Sequence, residues 1–410
     1  TDDNGTSFAV EKFLVADGTT SSVGNVTINA GAVFDGLDEF ITTGATGTVG
    51  NVSITSKGIS TIADGANEEA IKNALTVGDV TLNVTAAAGS LTLGDFAEAT
   101  TIGNVTFTGT GSIDWDGAPS ATTIGNISGS VASSETVDLT GDAQLMGTTA
   151  GTMGTTTVTG AGTFRMDVGA LTTLGNIDLS GMSGAATMSL SNTTAVGVIY
   201  TGSSGVDTFQ ATGGGDTINP GEGSDTVTGM DGADNITITE TTATADTIVL
   251  TDNDSVDTIT GFTAVAADDV ISIDVSAINA EISQNLRDST NDVVANEAAV
   301  VEKFAEGVIA KGSIAATANV FIMSDTDNNA LPGAGWELEL DANVTTSGDG
   351  IILVHYDADG GFASVGHLVD TGANTDGKFT AGTATYTEMA QLTMSTTEYD
   401  ALASANFAFS

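Results

Sequence analysis

The chain has 410 residues, enough for two or three domains with sizeable cores. It carries 53 Asp and Glu against 8 Lys and Arg, a formal charge of −45, which excludes nucleic acid and anionic lipid as electrostatic partners. Mean hydropathy of +0.17 and 40% hydrophobic residues exclude a globally disordered chain, and the lack of Cys excludes disulfides and thiolate metal sites. No apolar run approaches the length of a membrane-spanning helix, and the Val, Ile, Thr and Gly balance favours strands.

The opening TDDNGTSFAVEKFLVADG has neither a basic region nor a continuous apolar stretch, so it does not read as a Sec signal peptide. From about residue 8 to 200 a phrase recurs: VGNVTI at Val23, VGNVSI at Val49, VGDVTL at Val77, IGNVTF at Ile102, IGNISG at Ile124 and LGNIDL at Leu174. Met153-Gly154 marks a degenerate copy in the widest gap. Alternating apolar residues have the period of a strand with one buried face, and Gly-Asn suits a corner with left-handed backbone. Repeats of this length predict a parallel β-solenoid, one coil per repeat. The competing arrangement is an antiparallel sandwich of repetitive strands. Ala63 to Leu75 has helical spacing at Ala66, Ala70, Ile71 and Leu75 and is expected to form a short helix. The sequons at Asn25, Asn51, Asn83, Asn104 and Asn126 are read as corner and strand composition rather than glycan sites.

Between Gly202 and Thr237 the repeat tightens to nine residues: GSSGVDTFQ, ATGGGDTIN, PGEGSDTVT and GMDGADNIT. Asp207, Asp216, Asp225 and Asp234 recur at intervals of nine, each followed two residues later by an apolar residue. Gly205, Gly214, Gly223 and Gly232 precede them by two positions, where turn glycines let carbonyl oxygens converge, and the carboxylates supply hard anionic oxygen suited to Ca²⁺. A Gly/Asp-rich linker is the bland alternative, but a linker has no reason to hold an apolar residue at one phase over four repeats.

This stretch matches G-G-x-G-x-D-x-U-x and resembles the calcium-binding RTX proteins of bacteria. The resemblance implies a right-handed parallel β-roll in which Asp207 faces Asp225 and Asp216 faces Asp234, with Ca²⁺ held between successive turns. It also implies type I secretion through a C-terminal signal, for which the apolar, aromatic end ALASANFAFS is a candidate. Asp246 and Asp257 keep the D-T-I phrase without the glycines and are expected to lie in terminal coils that cap the roll and to join the metal residues. Asp268, Asp269 and Asp274 are read either as a further cation group or as solvated carboxylates.

Beyond the roll, residues 296 to 311 are expected to form an amphipathic helix. Strands are expected at Ala318 to Met323, Trp336 to Leu340 and Ile351 to Tyr356, the last leading into a turn at Asp357 and Asp359. The fold expected is therefore mainly β: a solenoid over 1–200, an RTX-like roll over 201–260, and a mixed, mostly β region with one or two helices over 261–410.

With two His, no thiol and no nucleophile elbow, the sequence offers no metalloprotease, lipase or thiol chemistry. Asp114-Trp115-Asp116, with two carboxylates beside an aromatic platform, and Arg165 are what a polysaccharide lyase or epimerase reading would rest on; i and i+2 carboxylates in a strand lie about 7 Å apart, which decides nothing alone. The chain is read as not an enzyme. It resembles the surface-layer proteins of Gram-negative bacteria, which implies a secreted protein that self-associates into a lattice on the cell surface, with cell-surface polysaccharide as a further partner. An extracellular filament, biofilm-matrix or adhesin subunit is the alternative.

Overall fold

The computed structural model describes residues 12–15, 21–31, 33–34, 39–62, 69–140, 145, 151–169, 171–190, 197–251, 255–265, 269–282, 293, 298–304, 318–323, 337–339, 350–370, 378–380 and 384–410. The chain divides into two compact units, Thr1–Gly213 and Gly214–Ser410. Parallel strands stack into a β-solenoid.

In the first unit the coils up to Ser189 contribute strands to three parallel sheets, and the coil after them contributes Ile199–Thr201 to the second and Thr208–Gln210 to the third. The recurring phrase is the corner between the first two. Val26–Ala30, Val52–Ser56, Val80–Val84, Val105–Gly109, Ile127–Val131 and Thr156–Gly160 follow the successive corners and pair in register. Alternation then fixes the faces. Val52, Val80, Val105 and Ile127 line up inside, each at most 1% exposed, while Thr27, Ser53, Thr81, Thr106, Ser128 and Thr157 line up outside. Uneven repeat intervals leave this register intact because the extra residues lie between strands. The all-parallel pairing rules out the antiparallel sandwich.

The corner Asn residues form a ladder. Asn25 Oδ1 accepts from Asn51 N at 3.0 Å, Asn51 from Asp79 N at 3.1 Å, Asp79 from Asn104 N at 2.8 Å, Asn104 from Asn126 N at 2.9 Å and Asn126 from Thr155 N at 3.0 Å. Each side chain thus satisfies a backbone donor of the next coil at a bend where no strand partner is available. Met153-Gly154 is indeed a corner, continuing the first sheet through Gly151–Met153 and the second through Thr156–Gly160.

The core is aliphatic with stacked rings. Phe107 lies on Phe164 at 5.8 Å, and Gly129, next in register to Phe107, leaves the room that ring occupies, since a Cβ there would collide with it. Trp115 is fully buried 5.1 Å from Phe96, so it is a core residue and not the aromatic platform expected beside Asp114 and Asp116. Strand alternation turns it inward and Asp114 outward.

The expected helix at Ala63 to Leu75 is a strand where it is described: Glu69–Val77 runs parallel to Glu39–Val49. Ala70, Ile71 and Ala74 are buried there, so tertiary pairing overrides the helical spacing. Residues 63–68 lie outside the described residues.

In the second unit the roll strands fall into two parallel stacks. Thr217–Asn219, Asn235–Thr237 and Asp257–Thr260 form one; Thr226–Thr228, Thr247–Leu250 and Val270–Ile273 form the other. Ile218, Ile236 and Ile259, with Val227, Ile248 and Ile271, are all fully buried. The D-T-I segments expected as caps are further full rungs. Their closure comes from the C-terminal part of the chain: Ala384–Thr393 pairs with Asp257–Thr260, and Phe407–Phe409 pairs with Val270–Ile273. The aromatic end of the chain is thus a buried strand, with Phe407 and Phe409 at 4% and 3% exposure.

The strands expected near 320, 338 and 353 are present as Val320–Met323, Glu337–Glu339 and Gly350–Asp357. Asp357 Oδ1 accepts from Asp359 N and Gly360 N at 3.0 and 2.9 Å, which closes the expected turn into Phe362–Asp370. The helix expected at 296–311 is replaced, where described, by the strand Val301–Phe304, parallel to Val320–Met323. The Asn319 carboxamide, accepting from Val300 N at 2.7 Å and donating to Ala298 O at 3.0 Å, is the local reason. Residues 296–297 and 305–311 lie outside the described residues. The described α-helices are Val275–Ile282, whose N-terminus Asp274 caps through Ala277 N, and Thr396–Ala401 with a Ser395–Glu398 capping box; a 3-10 turn follows at Ser404–Asn406.

Candidate functional site

The repeat places one Asp immediately before or at the start of each roll strand, where the chain leaves a glycine-rich turn. There each carboxylate points back along the stack. Asp234 Oδ1 accepts from Asp216 N at 2.8 Å and Asp257 Oδ1 from Asp234 N at 3.0 Å. On the other stack Asp246 Oδ1 accepts from Asp225 N at 2.9 Å and Asp269 Oδ1 from Asp246 N at 3.0 Å. Two ladders result, Asp216–Asp234–Asp257 and Asp225–Asp246–Asp269, with every member between 1% and 4% exposed. The expected facing of Asp216 and Asp234 is observed. Asp269, expected only within a separate cation group, is the last rung; the phrase D-V-I-S-I, a variant of D-T-I, was the signal for it. Asp274 is a helix cap, and Asp268 lies outside the described residues.

Burying carboxylates in rows is costly unless something neutralises them. Asp246 shows this most sharply: burial, with the nearby Glu240 and Asp269 carboxylates, pushes its pKa up to about 7, against the lowering effect of the Asp225 N–H. Its Oδ2 is buried and accepts no hydrogen bond. Burial also raises Asp269, whose Oδ2 accepts from Thr263 N and Oγ1 at 2.7 and 3.0 Å. Glu240 is fixed beside them by Gly223 N at 2.8 Å and Thr244 N at 2.6 Å.

The turn geometry differs among the four nonapeptides. Gly223 and Gly232 have φ of +118° and +107°, and the residues two before them, Gly221 and Met230, have φ of +107° and +66°. The last two repeats therefore share a turn whose backbone needs glycine. Gly205 and Gly214 do not adopt positive φ. At Gly229 a Cβ would collide with Asp234 Oδ2 and lie 3.5 Å from Asp257 Oδ2, so carboxylates of two successive turns face one space that only a glycine leaves open.

Asp207 is held differently. Its Oδ1 accepts from Ala186 N and Ser203 Oγ, both at 2.8 Å, and its Oδ2 from Ser203 N at 2.6 Å and Tyr200 Oη at 3.3 Å. Both oxygens are already bonded, and Tyr200 stacks on Phe209 at 3.8 Å. This carboxylate ties one coil to the next with protein donors alone.

The all-oxygen donor set, the orphaned Asp246 Oδ2 and the glycine-lined space at Asp234 and Asp257 fit a hard divalent cation bound by two carboxylates and turn carbonyls. Among the described residues no three His, Asp or Glu side chains form a metal cluster by themselves, so backbone oxygen would have to complete any such site. On the third sheet of the first unit Asp114, Asp138 and Arg165 align in register, with Arg165 Nη1 3.7 Å from Asp138 Oδ2. No helix among the described residues is long and apolar enough to cross a membrane. Comparison with protein-family models, curated proteins and solved structures finds no match.

Proposed function

We propose that this chain is a secreted, calcium-stabilised structural protein that self-associates on the cell surface, in the manner of a surface-layer subunit. The observation that carries the reading is the pair of buried aspartate ladders, with the Asp246 pKa raised by burial and then by its acidic neighbours Glu240 and Asp269, and one of its oxygens unbonded. Asp216, Asp225, Asp234, Asp246 and Asp257, with carbonyls of the turns around Gly223 and Gly232, would hold the ion; Asp269 would position Asp246.

Bound Ca²⁺ would supply positive charge between carboxylates that otherwise repel. The chain's own part is to bring those carboxylates into rows, through a hydrogen bond from each Asp N–H to the Asp of the next turn, and to exclude water by the Ile and Val side chains beneath. Because an ion bound only by the folded roll adds its binding free energy to folding, the second unit would fold where calcium is plentiful. Screening of the −45 charge by the same cation would let copies approach, giving a lattice or a filament.

The test is chelation. Circular dichroism, melting temperature and electron microscopy of the full chain are compared in excess EGTA and in millimolar calcium. The reading predicts loss of roll stability and of assembly in EGTA, both restored by calcium. Identical melting and identical particles in the two buffers contradict it.

A further inference from the structure

The turns that lead into Asp225 and Asp246 are built differently. Gly221-Glu222-Gly223 needs positive φ at both glycines, whereas Thr239 to Ala245, TETTATA, contains no glycine. Two glutamates cross between these turns. Glu222 Oε1 accepts from Thr241 N at 2.9 Å and Thr241 Oγ1 at 2.8 Å, and its Oε2 from Thr242 N at 3.2 Å. Glu240 completes the clasp from the other side: its Oε1 accepts from Gly223 N at 2.8 Å and its Oε2 from Thr244 N at 2.6 Å. The ninefold phrase specifies neither glutamate.

The two differ in where their carboxylates end. Glu222 is taken up by the exposed Thr241 and Thr242. Gly223 and Thr244 stand two residues before Asp225 and Asp246, so Glu240 is tied into the gap in which Asp225 N donates to Asp246 Oδ1 at 2.9 Å. Its charge acts on both Asp246 and Asp269. Two observations in that gap point to a cation. Asp246 is 1% exposed and its Oδ2 accepts no hydrogen bond. Thr244 Oγ1 lies 2.7 Å from Gly223 O and 2.7 and 2.8 Å from the Glu240 oxygens, and its single proton can serve one of these three acceptors. Oxygen outnumbers hydrogen there.

We propose that Glu240 sets the cation affinity and charge selectivity of the Asp225–Asp246–Asp269 ladder: held by backbone donors, it adds a fixed negative charge beside the ion while Asp246 supplies the ligand oxygen. The inference rests on calcium binding at the ladders and adds a residue that acts through its field. Glu222, which shares the clasp but not the gap, is its control. The energy between a fixed charge and an ion scales with the charge of the ion, so a trivalent cation feels Glu240 more strongly than a divalent one.

Calcium and terbium(III) are titrated separately into EGTA-stripped full-length chain by calorimetry, and the binding component that Asp246→Asn removes is followed. Glu240→Gln is expected to weaken that component about tenfold for calcium and about thirtyfold for terbium, the same interaction scaled by ion charge. Glu222→Gln is expected to leave both within about twofold of wild type. If Glu240→Gln does not fold, Ala243→Lys, an exposed position in the same turn, adds the opposing charge and is expected to lower terbium affinity more than calcium affinity. Wild-type affinities in Glu240→Gln, or in Ala243→Lys where that variant stands in, would overturn the proposal. So would equal losses for the two ions, or equal losses in Glu240→Gln and Glu222→Gln, because a clasp that is only structural treats both ions and both glutamates alike. Absence of calcium binding in the wild type would instead overturn the calcium reading itself, and this proposal with it.

Discussion

Replacing Asp246 with Asn isolates the electrostatic state of the ladder. Asn keeps the oxygen that accepts from Asp225 N and removes the charge that burial, Glu240 and Asp269 oppose. The folded pKa of about 7 lies well above the ordinary Asp value of about 3.9, and a tenfold change in proton affinity corresponds to about 1.36 kcal/mol. A carboxyl whose pKa is raised on folding stabilises the protein when protonated, and that stability is lost as pH rises from the unfolded value through the folded one. In calcium-free buffer Asp246→Asn should therefore match wild type near pH 4 and exceed it by up to about 4 kcal/mol near pH 8. Urea unfolding in EGTA, followed by circular dichroism at a series of pH values, measures that difference. Titrating groups away from the ladder, His367 among them, are common to both chains and cancel, while relief of Glu240 and Asp269 in the variant adds to the same difference. In excess calcium the advantage should shrink or reverse, because the variant lacks a ligand. A difference that does not grow between pH 4 and pH 8 would refute the argument that Asp246 is a strained anion.

Other consequences are separable. His367 is 3% exposed, and burial lowers its pKa to about 4; because the unfolded chain takes up the proton first, stability should fall by up to about 3 kcal/mol as pH drops from 6.5 to 4, and His367→Gln should flatten that limb of the urea-unfolding profile. Thr156 is fully buried between Ile127 and Ile177 in register, and its Oγ1 accepts no partner. Thr156→Val should raise stability by about 1 kcal/mol in thermal or urea unfolding. Gly129→Val drives a branched side chain into the Phe107 ring and should cost roughly 2 kcal/mol or more in the same assay. Gly229→Ala should weaken the calcium-induced rise in melting temperature, since its methyl occupies the space facing Asp234 and Asp257.

The solenoid was legible because its two signals are local: an apolar alternation fixes strand faces, and Gly-Asn fixes the corner between them. The ladder was legible for the same reason, as a fixed Asp phase before an apolar residue. What escaped the sequence depends on neighbours in space. Ala70, Ile71 and Ala74 have a spacing compatible with a helix, and pairing with Glu39–Val49 makes them a strand. Trp115 lies between two Asp residues, and only its coil's inward phase decides that it is core. Asp207 has the same local phrase as Asp225, yet Ser203 and Tyr200 satisfy it. The C-terminal strand Phe407–Phe409 meets Val270–Ile273 across more than a hundred residues, a pairing that no window of sequence announces.

The central claim is that the ladders hold calcium, and calorimetric titration of calcium into EGTA-stripped full-length chain tests it most directly. The account predicts saturable binding that weakens in Asp234→Asn and Asp246→Asn while leaving Asp207→Asn close to wild type. Absence of binding heat together with an unchanged melting temperature, or equal affinity in all three variants, would contradict it.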